Sequence, residues 1–205
     1  MKQLTLTTLF TALCLALTVG CQSPRGRIKD SGEPLGVDES RGGTAVYDEI
    51  LADTLEKLLA RHRGQVNIQN SGRFLVAFVA IETKGAEDLR DHKPALFDKA
   101  EEVMLNSGSY NMLNMRFVNR AMEEAGLRSP DDLFIERNRV AFLANLSEEG
   151  LSPDYLMWGK MTTQSSKVSS KFREVRYRFS IDMIDSRSGS TVAKESGERT
   201  KEYRD

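Results

Sequence analysis

Residues 73–81 read RFLVAFVAI, a nearly continuous apolar run from Arg73 to Ile81. The run is too short for a free-standing helix and is rich in Val and Phe. Without polar alternation it predicts a strand covered on both faces, central in a sheet with helices on each side. The residues that follow, Glu82–Lys93, read as a polar loop with Lys84-Gly85 as its turn signal. The rest of the chain has to supply the covering helices and the neighbouring strands.

Upstream, Tyr47, Ile50, Leu51, Thr54, Leu55, Leu58 and Leu59 recur at three- and four-residue steps. That spacing predicts a helix from about Thr44 with one apolar face. Asp48, Glu49, Asp53 and Glu56 precede Lys57, Arg61 and Arg63, an order that complements the helix dipole, and Gly64 is a natural stop.

Downstream, a helix from Pro94 to about Asn106 carries Leu96, Phe97, Ala100, Val103 and Met104, and Gly108 ends it. Tyr110–Asn114 is a short strand candidate. A third helix follows with Phe117, Val118, Ala121, Met122 and Ala125 inward. Ser129-Pro130-Asp131-Asp132 has the form of a helix start, with Ser129 as cap and Asp132 reaching back. The helix it opens is expected to break near Arg137 or Asn138 and resume through Val140, Phe142, Leu143 and Leu146.

The last third is β. Asp154–Gln164 begins with consecutive apolar residues, so both faces are expected to be covered there. Ser165–Lys171 reads as a polar turn. Val175, Tyr177, Phe179, Ile181 and Met183 then alternate with Glu174, Arg176, Arg178, Ser180 and Asp182, which predicts one core face and one wet face. Ser186–Gly189 makes a hairpin turn into a weaker final strand, Thr191–Ser196. The sum over residues 44–205 is an α/β domain: a small mixed sheet with C-terminal antiparallel strands, flanked by about four helices.

The chemistry-bearing residues are sparse. The two histidines, His62 and His92, lie in unrelated contexts without ligand spacing, so no metal or cofactor is expected. His62, between Arg61 and Arg63 at a helix end, reads as a partner of the helix dipole. Ser107 and Ser109 flank Gly108 but lack the glycines of a nucleophile elbow. Asp131-Asp132 is explained by capping more simply than by acid/base work. The methionines at 104, 122, 157, 161 and 183 fall on apolar faces as core filler. An enzyme is not expected. The chain carries a net charge of −1, which argues against a dedicated nucleic-acid binder. From Lys160 to Arg178 it holds Lys160, Lys167, Lys171, Arg173, Arg176 and Arg178 against Glu174 alone. Arg173, Arg176 and Arg178 are thus candidates for binding an acidic partner or anionic lipid headgroups. A solvated strand face is the plainer reading of the same residues.

At the N-terminus, Lys2 is followed by an apolar stretch, Leu4–Val19, and by Leu17-Thr18-Val19-Gly20-Cys21. This resembles a bacterial lipoprotein signal and its lipobox, with Thr18 at a position usually held by Leu. The resemblance implies removal of residues 1–20 and a lipid on Cys21. Cys14 leaves with the signal, so the folded part carries no thiol and must rely on its core. The apolar stretch is short for a membrane span and contains several Thr. With Gln22 rather than Asp after the Cys, the lipoprotein resemblance implies sorting to the outer membrane, on its periplasmic face. Residues 21–43, rich in Gly, Ser and Pro, read as a flexible tether. As a coil it would span roughly 25–30 Å, and fully extended roughly 75–80 Å.

Three further stretches carry a second resemblance: RFLVAFVAI at 73–81, the run from Gly108-Ser109-Tyr110 through NRAMEEAGLRSPDDLF at 119–134, and PDYLMWGKM at 153–161 with the strands after it. Their order resembles the LpoB-type activators of penicillin-binding proteins, which are similar in fold to the TolB N-terminal domain and the periplasmic part of CsgG. The likeness covers roughly residues 44–200. It implies a non-enzymatic outer-membrane lipoprotein that binds and activates a class A penicillin-binding protein, a bifunctional peptidoglycan synthase. The tether is short beside the long Pro-rich one of better-known members. The alternatives are a structural or assembly lipoprotein of the envelope, with no barrel-forming strands to make a pore, and an envelope enzyme with an unrecognised site.

Overall fold

The structure, a computed structural model, describes residues 26–29, 45–66, 72–85, 92–169 and 171–204. The signal peptide, Cys21 and most of the expected tether lie outside the described residues.

Apolar spacing and ladder pairing give the following elements: β1 (Gly26–Lys29), α1 (Ala45–Gln65), β2 (Phe74–Gly85), α2 (Lys93–Asn106), β3 (Tyr110–Met112), α3 (Met115–Glu124), a 3-10 turn (Pro130–Phe134), α4 (Glu136–Glu148), β4 (Tyr155–Lys167), β5 (Phe172–Asp185) and β6 (Thr191–Arg204). The strands form one six-stranded sheet in the order β1-β6-β5-β4-β2-β3. β2 runs parallel to β3 and β4, whereas β4, β5, β6 and β1 pair antiparallel in sequence. This is the mixed α/β architecture with a C-terminal antiparallel meander that the residue pattern predicts.

The core is split by the sheet. On one side α1 and α2 pack Leu55, Leu58 and Met104 against Val76, Phe78, Met157, Tyr177 and Phe179. On the other, α3 and α4 pack Val118, Ala121, Phe142 and Leu146 against Ala77, Val79, Leu156 and Trp158. Each large side chain so buried contributes about 1.5–3 kcal/mol. β2 feeds both layers, which is why its sequence does not alternate. A register shift between Phe78 and Ala80 puts Val79 and Ala80 on the α3/α4 side, and Ile81 returns to the α1/α2 side.

The structure departs from the sequence reading in several places. β2 continues through Glu82–Gly85, expected as loop, because its backbone keeps pairing with β4 as far as Gly85 and Thr163. β6 likewise runs to Arg204, its polar half held by the ladder to β5. α1 passes Gly64 by one residue. The helix break falls at Ile135, whose backbone is extended. Beyond it α4 buries Phe142 and Leu146 as expected, but Val140 is 58% exposed and Arg139 only 4%. Phe117, expected inward, is exposed on α3. The Ser129 capping box is present, but it opens a 3-10 turn. Finally, Gly26–Lys29, placed by composition in the tether, form a strand paired antiparallel with the end of β6.

Candidate partner-binding surface

Helices α3 and α4 cover β2 and the start of β4 on their sheet face; beyond them that face of β5 and β6 carries polar residues. Strand alternation sends Glu174, Arg176, Arg178, Ser180 and Asp182 of β5 to this side, opposite the buried Val175, Tyr177, Phe179 and Ile181. Arg176 and Arg178 are exposed and stand together there. Arg173 does not join them: its odd position sets it on the Val175 side of the strand, where it is half-buried. The candidate trio is therefore divided between the two faces.

The charge balance of this face also differs from that of the local sequence. β6 brings Glu198 opposite Arg178 and Glu202 opposite Glu174. Arg176 Nε lies 3.2 Å from Glu198, with Glu174 at 3.8 Å, and Lys194 Nζ lies 2.8 Å from Asp182. The surface is a mixed lattice of charge. Such exposed pairs add little stability, about 0–1 kcal/mol each, but they fix the side chains that a partner would meet. Ion pairs also tie α1 to β6, through Arg61 with Glu195 at 3.0 Å and Arg199 with Asp53 at 3.4 Å.

His62 corrects a sequence expectation. The helix dipole would have held it as a cation at the surface; it is instead 2% exposed and fills the core end of α1. Its Nδ1 is 2.8 Å from the Tyr110 hydroxyl, and its ring meets Tyr155 edge-on at 4.6 Å. Burial lowers its pKa below the ordinary value of 6.5, so the ring is neutral at neutral pH. Burial likewise pushes the Tyr110 phenol up to about 12. His92 sits at the start of α2, its ring stacked on Tyr47 at 6.2 Å. The two histidines are not brought together.

Arg139 was not singled out by the sequence. Its guanidinium donates from one Nη to Leu133 O at 3.1 Å and from the other to Arg187 O at 3.5 Å. It joins the 3-10 turn to the β5–β6 turn. Asp132 caps as expected, accepting from the backbone N–H groups of Arg128 and Ser129 at 3.1 Å. Among the described residues there is no group of three His, Cys, Asp or Glu poised to hold a metal ion. Nor is any described helix long and apolar enough to cross a membrane.

No protein-family model matches the chain, and no curated protein sequence matches it. Solved structures do match. The NMR structure of E. coli LpoB superposes with a TM-score of 0.50 at 11% identity, over 84% of this chain and 80% of that one. The LpoB C-terminal domain from Salmonella enterica gives a TM-score of 0.48 at 11% identity, over 72% of this chain and 96% of that one. Lipoprotein GNA1162 from Neisseria meningitidis gives 0.45 at 12% identity, over 62% of this chain and 82% of that one. The class by fold is thus a mixed α/β domain of LpoB type. Its structural neighbours are LpoB domains from E. coli and Salmonella.

Proposed function

We propose that the chain is a lipid-anchored, non-catalytic regulator of the bacterial envelope, which binds a bifunctional penicillin-binding protein and raises its activity. The observation that supports this reading is the LpoB-like fold over most of the chain. An activator of this kind needs no chemistry of its own. It binds the active conformation of the synthase more tightly than the inactive one and so shifts the population. The exposed Arg176–Arg178 face is the docking surface, and the anchor is a lipid on Cys21 in the periplasmic leaflet of the outer membrane. The test is retention of a class A synthase from solubilised envelopes on the full-length processed chain, followed by glycan polymerisation with and without that chain. Retention together with a raised rate is expected; a retained synthase whose rate is unchanged, or no retention, overturns the reading.

One observation favours a second reading, a structural or assembly lipoprotein of the same membrane. With β1 seated on β6, only the stretch from Cys21 to Gly26 remains as a leader. That stretch spans at most about 17 Å when fully extended. A partner in the opposite membrane then requires β1 to be released. Sedimentation of the purified lipoprotein, with cross-linking in intact envelopes, separates the readings: self-association without synthase cross-links belongs to the second.

A further inference from the structure

The β4–β5 hairpin tip is exposed among the described residues. Lys167 and Lys171 are exposed there, with Val168 58% and Phe172 38% exposed. The backbone N–H groups of Val168 and Ser169 both donate to Phe172 O, at 3.0 and 3.1 Å. No acidic residue occurs from Thr162 to Arg173, whereas Asp154 and Asp185 stand at the opposite end of the same two strands. The tip therefore combines positive charge with two apolar side chains that are exposed among the described residues.

The pairing register shows where the N-terminal chain arrives. Gly26 pairs with Tyr203, Tyr203 with Arg173, and Arg173 with Lys167, one row across the sheet. The first residue of β1, nearest Cys21 in sequence, thus lies at the tip end of the sheet. A lipid on Cys21 holds Gly26 within about 17 Å of the bilayer surface, and Lys167, three strands along the same row, stands about 14 Å from Gly26.

We infer that the β4–β5 hairpin tip is a membrane-docking element, with Lys167 and Lys171 on phospholipid phosphates and Val168 and Phe172 in the interface. The occupant is an anionic phospholipid surface because the chain's own anchor would deliver the tip to one, and because the tip's charge is complementary to it. The inference rests on the lipidation reading of Cys21 and is independent of the synthase partner. It orients the sheet with the tip toward the lipid and the Asp154–Asp185 end away from it.

The test uses the full processed lipoprotein in phosphatidylethanolamine–phosphatidylglycerol vesicles. A Val168→Cys variant carries an environment-sensitive fluorophore, with Ser147→Cys on α4 as the reference position. Brominated lipids are expected to quench the label at 168 and leave the label at 147 unchanged. The double variant Lys167→Glu, Lys171→Glu is expected to lose that quenching while keeping its circular dichroism. In an unacylated Cys21→Ser chain, replacing either lysine is expected to lower vesicle partitioning by about fivefold. Flotation of the acylated chain reports the anchor separately. A chain that floats but shows equal, low quenching at both positions overturns the docking tip and leaves the anchor standing. A processed chain that does not float overturns both.

Discussion

The Nδ1 atom of His62 lies 2.8 Å from the hydroxyl oxygen of Tyr110, inside the core. The neutral ring can accept from the phenol or donate to it; the protonated ring can only donate, and it brings a charge into an aromatic surround. Because burial lowers the folded-state pKa below 6.5, the unfolded chain takes up this proton first. The contribution of His62 to stability is therefore complete above about pH 6.5 and is lost as pH falls from there through the folded-state pKa. Asp185, held down by the Ser188 backbone N–H, titrates below 3.8 and acts in a separate window. Urea midpoints across mildly acidic pH are expected to fall for the native chain and to fall less for His62→Gln. Equal slopes would exclude His62 as the acid-sensitive group.

Among the described residues the guanidinium of Arg139 bonds to two backbone carbonyls, Leu133 O and Arg187 O. An Arg139→Met variant keeps much of the stem but orphans Leu133 O and Arg187 O. A loss of about 1–3 kcal/mol is expected in chemical denaturation. Arg139→Lys, with a single ammonium, is expected to recover only part of it, since it cannot span both carbonyls. Full recovery by Lys would show that charge alone matters there.

Gly159 of β4 lies beneath the Phe179 ring. A Cβ there would stand 2.6 Å from two ring atoms, so Gly159→Ala is expected to cost about 1–3 kcal/mol by overpacking. Combining it with Phe179→Leu is expected to cost less than the sum of the two single changes. A double-mutant cycle by thermal unfolding measures that coupling.

Arg176 and Arg178 stand on an exposed face with cross-strand acids. Arg176→Gln with Arg178→Gln is expected to leave stability within about 1 kcal/mol and to weaken synthase retention at least tenfold in the pulldown. Arg173→Glu, on the other face, is expected to weaken it less. Equal retention by all three would move the docking surface elsewhere.

How much of this was legible in the sequence depended on which force decided each element. β5 was fully legible because its two-residue period is a burial pattern, and all five inward residues are at most 1% exposed. The centre of β2 was legible for the opposite reason: its continuous apolar run marks burial on both faces. Its polar end was not: Glu82–Lys84 are held by ladder hydrogen bonds to β4, which do not depend on side-chain polarity. On α4, Phe142 and Leu146 were legible as inward, but Arg139 was passed over because arginine counts as polar, although its long stem can be buried when the head finds carbonyls. His62 was misread from its neighbours Arg61 and Arg63, while its burial comes from Tyr110 and Tyr155, distant in sequence. The basic run at 160–178 concealed its balance because the opposing Glu198 and Glu202 arrive on another strand.

The first strand of the chain is paired with the last. For a polypeptide that emerges N-terminus first, the outermost ladder cannot close until residues 200–203 are available, however early the rest has folded. Under the proposed lipid anchor on Cys21, the leader stays long until β1 pairs with β6 and is shortened to Cys21–Gly26 by that pairing. Completion of the sheet and the distance of the globule from the bilayer become one event, and a chain trimmed before Thr200 would stay on the long leash.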